Sequence, residues 1–316
     1  MREHIANILK GAGMGAANVI PGVSGGTIAL ITGIFERLIN AIKSFGPTAL
    51  KLLLKGKMKA FAAHTDLGFL GAVLVGILVA IVSLARLFDY LFNYYPVYIW
   101  SFFFGLVLAS VYFVGKTVDK WSPSVIISFV IGTAIAVFIS VLNPATESSN
   151  FFYLMLCGVA AICSMILPGL SGSFILFIMG NYKLVAIDAV NERNFDILFP
   201  VLLGAVVGLI AFSHFLSWLL KKYKDQTISI LTGFILGSVS ILWPWQKAVF
   251  LYDELGNKIF KQGEAIVVRY ERILPDTSGM EFWMAMLFIV LGIASIWLIE
   301  KSAEKKVGEN PDGKAS

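Results

Sequence analysis

The sequence predicts an all-α polytopic membrane protein made of two inverted-topology repeats, each a re-entrant helical hairpin followed by three transmembrane helices. Hydrophobic residues make up 58 % of the chain, charged residues only 14 %, and the mean hydropathy is +0.81, whereas a soluble domain carries roughly 25 % charged residues. Several apolar runs reach the ~20 residues that a membrane-spanning helix needs. A glycine-serine motif also occurs twice, at Pro21–Thr27 and, 147 residues further along, at Pro168–Ser173.

Composition argues against several classes of function. The net charge of +5 does not indicate nucleic-acid binding, because the basic residues cluster in short loops, where they report membrane topology. Both cysteines, Cys157 and Cys163, lie in one apolar segment without a neighbouring histidine, so neither a disulfide nor a metal site is expected. The sequence contains no phosphate-binding P-loop, and no cofactor is expected.

The first repeat is predicted to occupy residues 1–150. It begins with a hairpin over residues 5–42, in which one apolar limb ends at the first motif and a second limb, residues 24–42, returns. The stretch Lys43–Lys59 contains five lysines and no acidic residue, which places it in the cytoplasm as a loop. Three spans are then predicted, at residues 67–87, 97–114 and 124–142.

The second repeat is predicted to occupy residues 151–300 and to follow the same plan. Its hairpin covers residues 151–190, with residues 171–190 as the return limb, and its spans cover residues 197–220, 227–245 and 281–299. Hydrophobic residues 266–268 in the polar segment before the last span are expected to pair as a small hairpin or to lie on the membrane. Residues 301–316 are expected to form a cytoplasmic tail, whose end from Gly308-Glu-Asn-Pro onward is expected to be disordered.

The lysine clusters set the predicted direction of each span. With both termini in the cytoplasm, the three spans of one repeat run opposite to those of the other, which is the inverted arrangement of secondary transporters. The first limb of the first hairpin, residues 5–20, is too short to cross a bilayer. Each motif is therefore expected at the tip of a re-entrant hairpin inside the membrane, where irregular backbone must be buried or line a wet cavity. The pattern Gly105-x-x-x-Ala109 and its echo Gly233-x-x-x-Gly237 are interpreted as helix-packing contacts.

Each motif has the residues of an anion site. Proline and glycine end one helix, and serine or threonine begins the next, whose first N–H groups lack intrahelical partners and carry the positive end of the macrodipole. Such a turn can cradle a phosphate or a carboxylate; alternatively, the two turns only break helices and shape their packing. The candidate binding residues are Ser24, Gly25, Gly26 and Thr27 in the first turn, and Ser171, Gly172 and Ser173 in the second.

A few ionisable residues are additional candidates. Arg86 lies near a span end and is proposed to contact the anion, although snorkelling to the interface is the commoner behaviour of such a residue. Glu36, Asp188 and His214 are candidates for proton coupling, with interfacial solvation or simple packing as the alternatives. Arg37 is expected to pair with the adjacent Glu36.

A second chemistry competes with anion binding. Gly22-Val-Ser-Gly25 and Gly169-Leu-Ser-Gly172 match the Gly-x-Ser-Gly pattern of intramembrane serine proteases, and His214 could act as a base. A hydrolase needs one nucleophile, however, whereas this motif is duplicated. We therefore predict a protein that is not an enzyme and assign no catalytic residue.

The motifs Pro21-Gly-Val-Ser-Gly-Gly-Thr27, Gly33-Ile-Phe-Glu-Arg-Leu38 and Leu167-Pro-Gly-Leu-Ser-Gly-Ser-Phe174 resemble those of a bacterial membrane family, the PopT-type undecaprenyl phosphate translocases, long catalogued as a domain of unknown function. The resemblance implies retrieval of undecaprenyl phosphate from the outer to the cytoplasmic leaflet of the bacterial inner membrane, for reuse in cell-envelope synthesis. The implied partners are the polyprenyl phosphate and the bilayer, with no nucleic acid and with homo-oligomerisation left open. A transporter or channel for small anions is the alternative.

Overall fold

The computed structural model describes residues 2–19, 24–142, 144–250, 260–261, 264–265 and 267–308. Within these residues the chain is mostly helical. Six helices are long and apolar enough to cross a membrane, and they lie at the six predicted spans. They are α6 (Leu67–Tyr94), α7 (Pro96–Gly115), α8 (Pro123–Val141), α12 (Phe195–Lys222), α13 (Lys224–Ser238, extended by a 3₁₀ turn over Val239–Leu242) and α14 (Met280–Gly308).

Shorter helices precede the first and the fourth of these spans. The first hairpin consists of α1 (Arg2–Val19), α2 (Gly25–Ile31) and α3 (Phe35–Lys43). The second consists of α9 (Phe151–Ile166), α10 (Gly172–Ile178), a π-helical turn over Lys183–Asp188 and α11 (Ala189–Asn191). Both hairpins thus contain a helix of 16–18 residues followed by one of seven residues.

The return limb of each hairpin is broken into shorter helices. The axes of α2 and α3 differ by 117°, and the break falls at Gly33, whose φ is +70°. Gly180, 147 residues further along, has a φ of +74° and ends α10 in the same way. The N–H of Ile34 bonds the carbonyl of Ala29 at 2.9 Å, and Asn181 repeats the bond to Leu176 at 2.9 Å. This is the glycine C-cap that ends a helix in the left-handed conformation.

The segments outside the six spans contain regular structure of their own. The lysine-rich stretch Lys43–Lys59 contains α4 (Pro47–Leu54) and the start of α5 (Met58–His64). The last helix continues to Gly308; residues 309–316 lie outside the described part. Besides its helices, the described chain has two short strand pairs: β1 (Gln246–Phe250) pairs antiparallel with β4 (Val267–Arg272), and β2 (Phe260–Lys261) with β3 (Glu264–Ala265).

Val267 takes part in the predicted small hairpin, since it pairs with Phe250. Ile266 lies outside the described residues. The strand pair follows the end of α13 and is joined to it through Trp245, whose carbonyl accepts a bond of 2.9 Å from Ile273 N–H. It therefore lies at the end of the bundle where α13 finishes.

Most of the long helices pack in four close pairs through glycine. A Cβ added to Gly15 of α1 would meet the Ile77 carbonyl oxygen of α6 at 2.5 Å, and Gly11 lies against Val73 in the same way. Because these contacts advance together along both helices, α1 and α6 run parallel. The contacts of three more pairs also advance together: α9–α12 (Met155 with Gly204, Val159 with Gly208), α8–α13 (Phe129 with Gly233, Thr133 with Gly237) and α7–α14 (Tyr98 with Phe288, Phe102 with Gly292).

The packing interpretation of the small-residue patterns is confirmed by these contacts, since Gly105 lies against Ile289 and Gly237 against Ala136. Backbones that approach this closely leave no room for a Cβ, so helix association uses main-chain van der Waals contact. The apolar core lies between the pairs, where α2 and α3 pack against α7 and α12.

The bundle has two chemically different ends. The lysine end contains the starts of α1, α6, α8 and α13 and the ends of α3, α7, α12 and α14. Lys43 of α3 donates to Ser217 of α12 at 3.3 Å, and the Asp225 carboxylate of α13 accepts from the backbone of Asp119 at 3.2 Å. The opposite, aromatic end is formed by Tyr90, Tyr94, Tyr95, Tyr98, Trp243, Trp245 and Trp283.

Candidate functional site

The two glycine-serine turns lie in contact with each other. The Ser24 hydroxyl is 3.3 Å from the Leu167 carbonyl oxygen, and the Thr27 hydroxyl oxygen accepts a bond of 3.1 Å from the Gly169 N–H. Ser24 and Thr27 are both buried, the latter only 1 % exposed. Residues 20–23, the start of the first motif, lie outside the described part of the chain. Two motifs 147 residues apart in sequence thus form one structural element.

Glycine is required where the turns meet. A Cβ on Gly26 would lie 2.7 Å from the Ile166 carbonyl oxygen, so any side chain there would push the two turns apart. Gly169 has a φ of +81°, and its Cβ would meet the Phe234 carbonyl oxygen of α13 at 2.6 Å. The second turn is therefore held between α2 and α13.

The first turn does not expose free N–H groups, which corrects the expectation from the motif. Ser24 caps α2, and its hydroxyl accepts from Gly26 N–H at 3.1 Å. The N–H of Gly25 donates to the side-chain oxygen of Asn18 at 2.8 Å, and that of Thr27 to the Ser24 carbonyl at 2.9 Å. All three donors are therefore satisfied within the hairpin, as buried N–H groups generally are.

Asn18 is a partner of the first turn that the motif did not indicate. Its amide lies at the end of α1 and its oxygen accepts the hydrogen bond from the Gly25 N–H. The available signal was a polar side chain three residues before the motif, in a limb that also contains Asn7 and Lys10. Lys10 was also missed; its ammonium donates to the Thr32 carbonyl at the helix break at 2.9 Å.

The second turn is more open than the first. Ser171 precedes α10 without a side-chain capping bond, and its hydroxyl lies 2.8 Å from that of Ser173. Within the described chain, no hydrogen bond to the N–H of Gly172 or Ser173 is found. Ser173 is exposed, and so is Met165, at 51 %, which lies against Gly172. This turn is accessible from the side of the bundle.

The remaining candidates belong to other helical segments than the two turns. The Arg86 backbone is part of α6, but its side chain is outside the described part of the structure. The Asp188 carboxylate forms an ion pair with Lys183. His214 is exposed, and its Nδ1 lies 2.8 Å from the Ile210 carbonyl oxygen of its own helix. In the described chain neither Ser24 nor Ser171 is hydrogen-bonded to this ring, so the structure gives no support to a serine–histidine nucleophile.

Arg37 does not pair with Glu36, contrary to expectation. Its guanidinium bonds Glu3 of α1 at 2.6 Å and Asp66, just before α6, at 2.6 and 3.1 Å, and it lies 4.4 Å from the centre of the Phe69 ring. The hydrogen bond from Arg37 also lowers the pKa of the Glu3 carboxyl below its usual value. The network ties the start of α1 to α3 and α6.

Glu36 borders a polar cavity at the lysine end. The cavity has a volume of about 510 Å³, and no ion-pair or hydrogen-bond partner of the Glu36 carboxylate is found among the described residues. Its lining residues are Gly33, Glu36, Arg37, Asn40, Ala41, His64 and Asp66.

Comparison with known proteins agrees with the motif resemblance. Residues 14–259, which include both motifs, match the model of a family described as undecaprenyl phosphate translocase-like. A polyprenyl-phosphate transporter of Vibrio cholerae is 38 % identical over 309 residues, covering 96 % of this chain and 98 % of that protein. A polyprenyl-phosphate transporter of Staphylococcus aureus is 31 % identical over 266 residues, covering 75 % of this chain and 86 % of that protein. No solved structure matches the chain.

Proposed function

Because the chain belongs to the undecaprenyl phosphate translocase-like family, we propose that it moves undecaprenyl phosphate from the outer to the cytoplasmic leaflet of the bacterial inner membrane. Family membership confirms the resemblance stated from the motifs, and the chain is a transporter rather than an enzyme. The recovered lipid would be reused as a carrier in cell-envelope synthesis.

Helix directions support an inverted-repeat architecture with the boundary near residue 150. Contacts of Phe88 with Phe103 and of Phe92 with Trp100 indicate that α6 and α7 are antiparallel. Phe104 of α7 lies beside Trp243, just after α13. The end of α7 at Gly115 and the start of α13 both lie at the lysine end, so α7 and α13 are antiparallel. Since α12 reverses into α13 at Tyr223, α6 and α12 run in opposite directions. The α1–α6 and α9–α12 pairs would then be equivalent units of two antiparallel halves.

Contacts at the hairpin starts support re-entrant hairpins. Arg37 of α3 returns to Glu3 at the start of α1. In the second hairpin, the Tyr153 hydroxyl near the start of α9 donates to the Met179 carbonyl after α10 at 2.8 Å. Both limbs of each hairpin thus begin and finish at one end, and the tips meet between the ends. The positive-inside rule supports a cytoplasmic lysine end, and with it the proposed cytoplasmic position of both termini.

The contact between the two turns is the observation that supports the phosphate site best. Ser24 and Thr27 contact Leu167 and Gly169 of the second motif, so the two turns are joined, which supports a shared anion site built from Ser24–Thr27 and Ser171–Ser173 near the membrane midplane. The phosphate would enter at the exposed second turn and replace the Asn18 oxygen at the Gly25 N–H. Arg86 is proposed to assist from the outer side.

The exposed flank of the second turn favours a lipid over a small free anion. Met165 and Phe177 are 51 % and 41 % exposed, so hydrocarbon can lie beside the turn while a headgroup enters it. A small-anion carrier needs no such lateral access. For proton coupling we prefer Glu36, which borders the polar cavity. Asp188 and His214 rank lower, because Asp188 has a lysine partner and His214 faces outward.

Binding of undecaprenyl phosphate to the purified protein, measured by native mass spectrometry, tests the proposal. We expect the wild type to retain more undecaprenyl phosphate than neutral polyprenol. In the Ser24→Ala, Ser171→Ala double variant this preference for the phosphate lipid should be lost. The matched control is Ser83→Ala, Ser140→Ala, because those hydroxyls bond carbonyls of their own helices. Equal retention of phosphate and alcohol, indifferent to the turn serines, would refute the site and the substrate class.

Asn18 provides a second test. In Asn18→Asp the carboxylate would still accept the Gly25 N–H, as a charge-assisted bond, and would repel the phosphate. Binding of undecaprenyl phosphate should weaken about tenfold or more. Asn18→Ala leaves the N–H free and should bind at least as tightly as the wild type. If the Asn18→Asp variant binds normally in the same assay, Asn18 does not occupy the anion's position.

A further inference from the structure

The segment between the first hairpin and α6 forms a compact two-helix unit, residues 45–64, which we call the α4–α5 unit. Phe45 and Phe61 meet edge to face with ring centres 6.1 Å apart, and Ala49 is buried. The unit thus has a small packed interior of its own. It joins the bundle through α6, which begins at Leu67, three residues after α5 ends.

The outer face of the unit is apolar. Leu50, Leu53 and Leu54 follow the i, i+3, i+4 spacing that places side chains on one face of a helix. They are 56, 44 and 78 % exposed, and Met58 at the start of α5 is 57 % exposed. These four side chains form the leucine face of the unit, and little of the described chain covers it.

Positive charge surrounds the leucine face. Four exposed lysines lie in or beside the two helices, and the sequence has no acidic residue between Glu36 and Asp66. A helix with apolar side chains flanked by lysines lies in the plane of a membrane interface and is attracted to anionic lipid, with the lysine stems reaching up to the headgroups. The lysines are Lys51, Lys55, Lys57 and Lys59.

The position of the unit matches this surface. α3 ends beside Ser217 at the lysine end, and Leu67 is the first residue of a candidate span. The unit is therefore held at the level where the hydrocarbon begins. We propose that it inserts its leucine face into the bilayer interface and binds anionic phospholipid headgroups through its four lysines. This goes beyond the proposed function, because it requires neither the transported lipid nor a direction of transport.

A spin label at Leu54→Cys in the full-length protein tests the insertion, with Cys157 and Cys163 replaced by alanine. In nanodiscs of phosphatidylcholine containing phosphatidylglycerol, we expect the label to be accessible to oxygen and protected from a water-soluble nickel chelate. Accessibility to the chelate would overturn the proposal. Dipolar broadening between the labels of two protein copies in one nanodisc would also overturn the proposal, because the leucine face would then contact a second copy of the chain.

Native mass spectrometry of retained lipid tests the charge preference. Each lysine near an anionic membrane surface contributes about fivefold to binding, the equivalent of ~1 kcal/mol. In the variant with Lys51, Lys55, Lys57 and Lys59 all replaced by Gln, the ratio of retained phosphatidylglycerol to phosphatidylcholine should therefore fall at least fivefold. The control replaces Lys120, Lys221, Lys222 and Lys224 by Gln, removing the same charge from the same end. Equal loss in both variants would assign the preference to overall charge and overturn the role of the unit.

Discussion

Gly26→Ala is expected to abolish transport while leaving most of the helix bundle folded. The added Cβ would lie 2.7 Å from the Ile166 carbonyl oxygen and 3.3 Å from the Ser24 hydroxyl. Since the nearer atom belongs to the backbone, relief requires separating the first turn from the second, at about 1–3 kcal/mol. The shift would also break the contacts of Ser24 and Thr27 with the second turn. Uptake of undecaprenyl phosphate in proteoliposomes should therefore fall to the level of protein-free vesicles.

Gly46→Ala is the matched control, because a Cβ at Gly46 meets nothing within 4 Å. Both variants should elute as monodisperse protein in detergent, and only the change at Gly26 should remove uptake. Normal uptake by a well-folded Gly26→Ala protein would mean that the contact between the turns does not serve transport, and that the motifs act only as helix breaks.

Structural elements with a strong physical signal in the sequence are the ones that can be predicted from it. A span needs about 20 apolar residues, and this requirement located α6, α7, α8, α12, α13 and α14. The duplicated motif was also informative, because proline and glycine at one fixed offset predict two equivalent interruptions. The inverted repeat predicted that the two turns face each other near the midplane. It did not predict which atoms would touch, since a contact across 143 residues, such as Ser24 with Leu167, has no local signature.

Local capping was harder to anticipate. Gly33 is an ordinary glycine in sequence, yet its φ of +70° ends α2 and divides the return limb. The duplication contained a usable signal, because Gly180 lies at the same 147-residue offset as the motif. The partners of N–H groups posed a similar difficulty. Asn18 satisfies Gly25 only because the end of α1 folds back over the turn, which sequence spacing alone does not specify.

Charge pairing shows why adjacency in sequence is a poor guide. Glu36 and Arg37 are neighbours, but successive side chains on a helix point about 100° apart. Arg37 instead meets Asp66, 29 residues away, in a geometry with two hydrogen bonds. Glu36 lies beside the cavity at the lysine end instead.

Gly204→Leu is expected to prevent folding, because Gly204 lies directly against the Met155 carbonyl of α9. The same α9–α12 interface places Gly158 against Val201 and Gly208 against Val159, so the two backbones cannot separate at one point without losing contact along the pair. A leucine would cost about 3 kcal/mol or more, and in a membrane no hydrophobic effect between helices compensates for lost packing. The amount of monodisperse protein extracted in detergent, and its thermal stability, measure the effect.

Gly71→Leu separates this effect from the change in helix propensity. Gly71 lies within α6, and a Cβ there meets nothing within 4 Å, so leucine should be neutral or stabilising because glycine is the poorer helix former. Extraction of both variants at wild-type yield and stability would contradict the interpretation of α9 and α12 as a tightly packed pair. Loss confined to Gly204→Leu would instead indicate that the proposed second repeat depends on a rigid two-helix unit, α9–α12. Any movement of the proposed repeats against each other would then have to leave this pair intact.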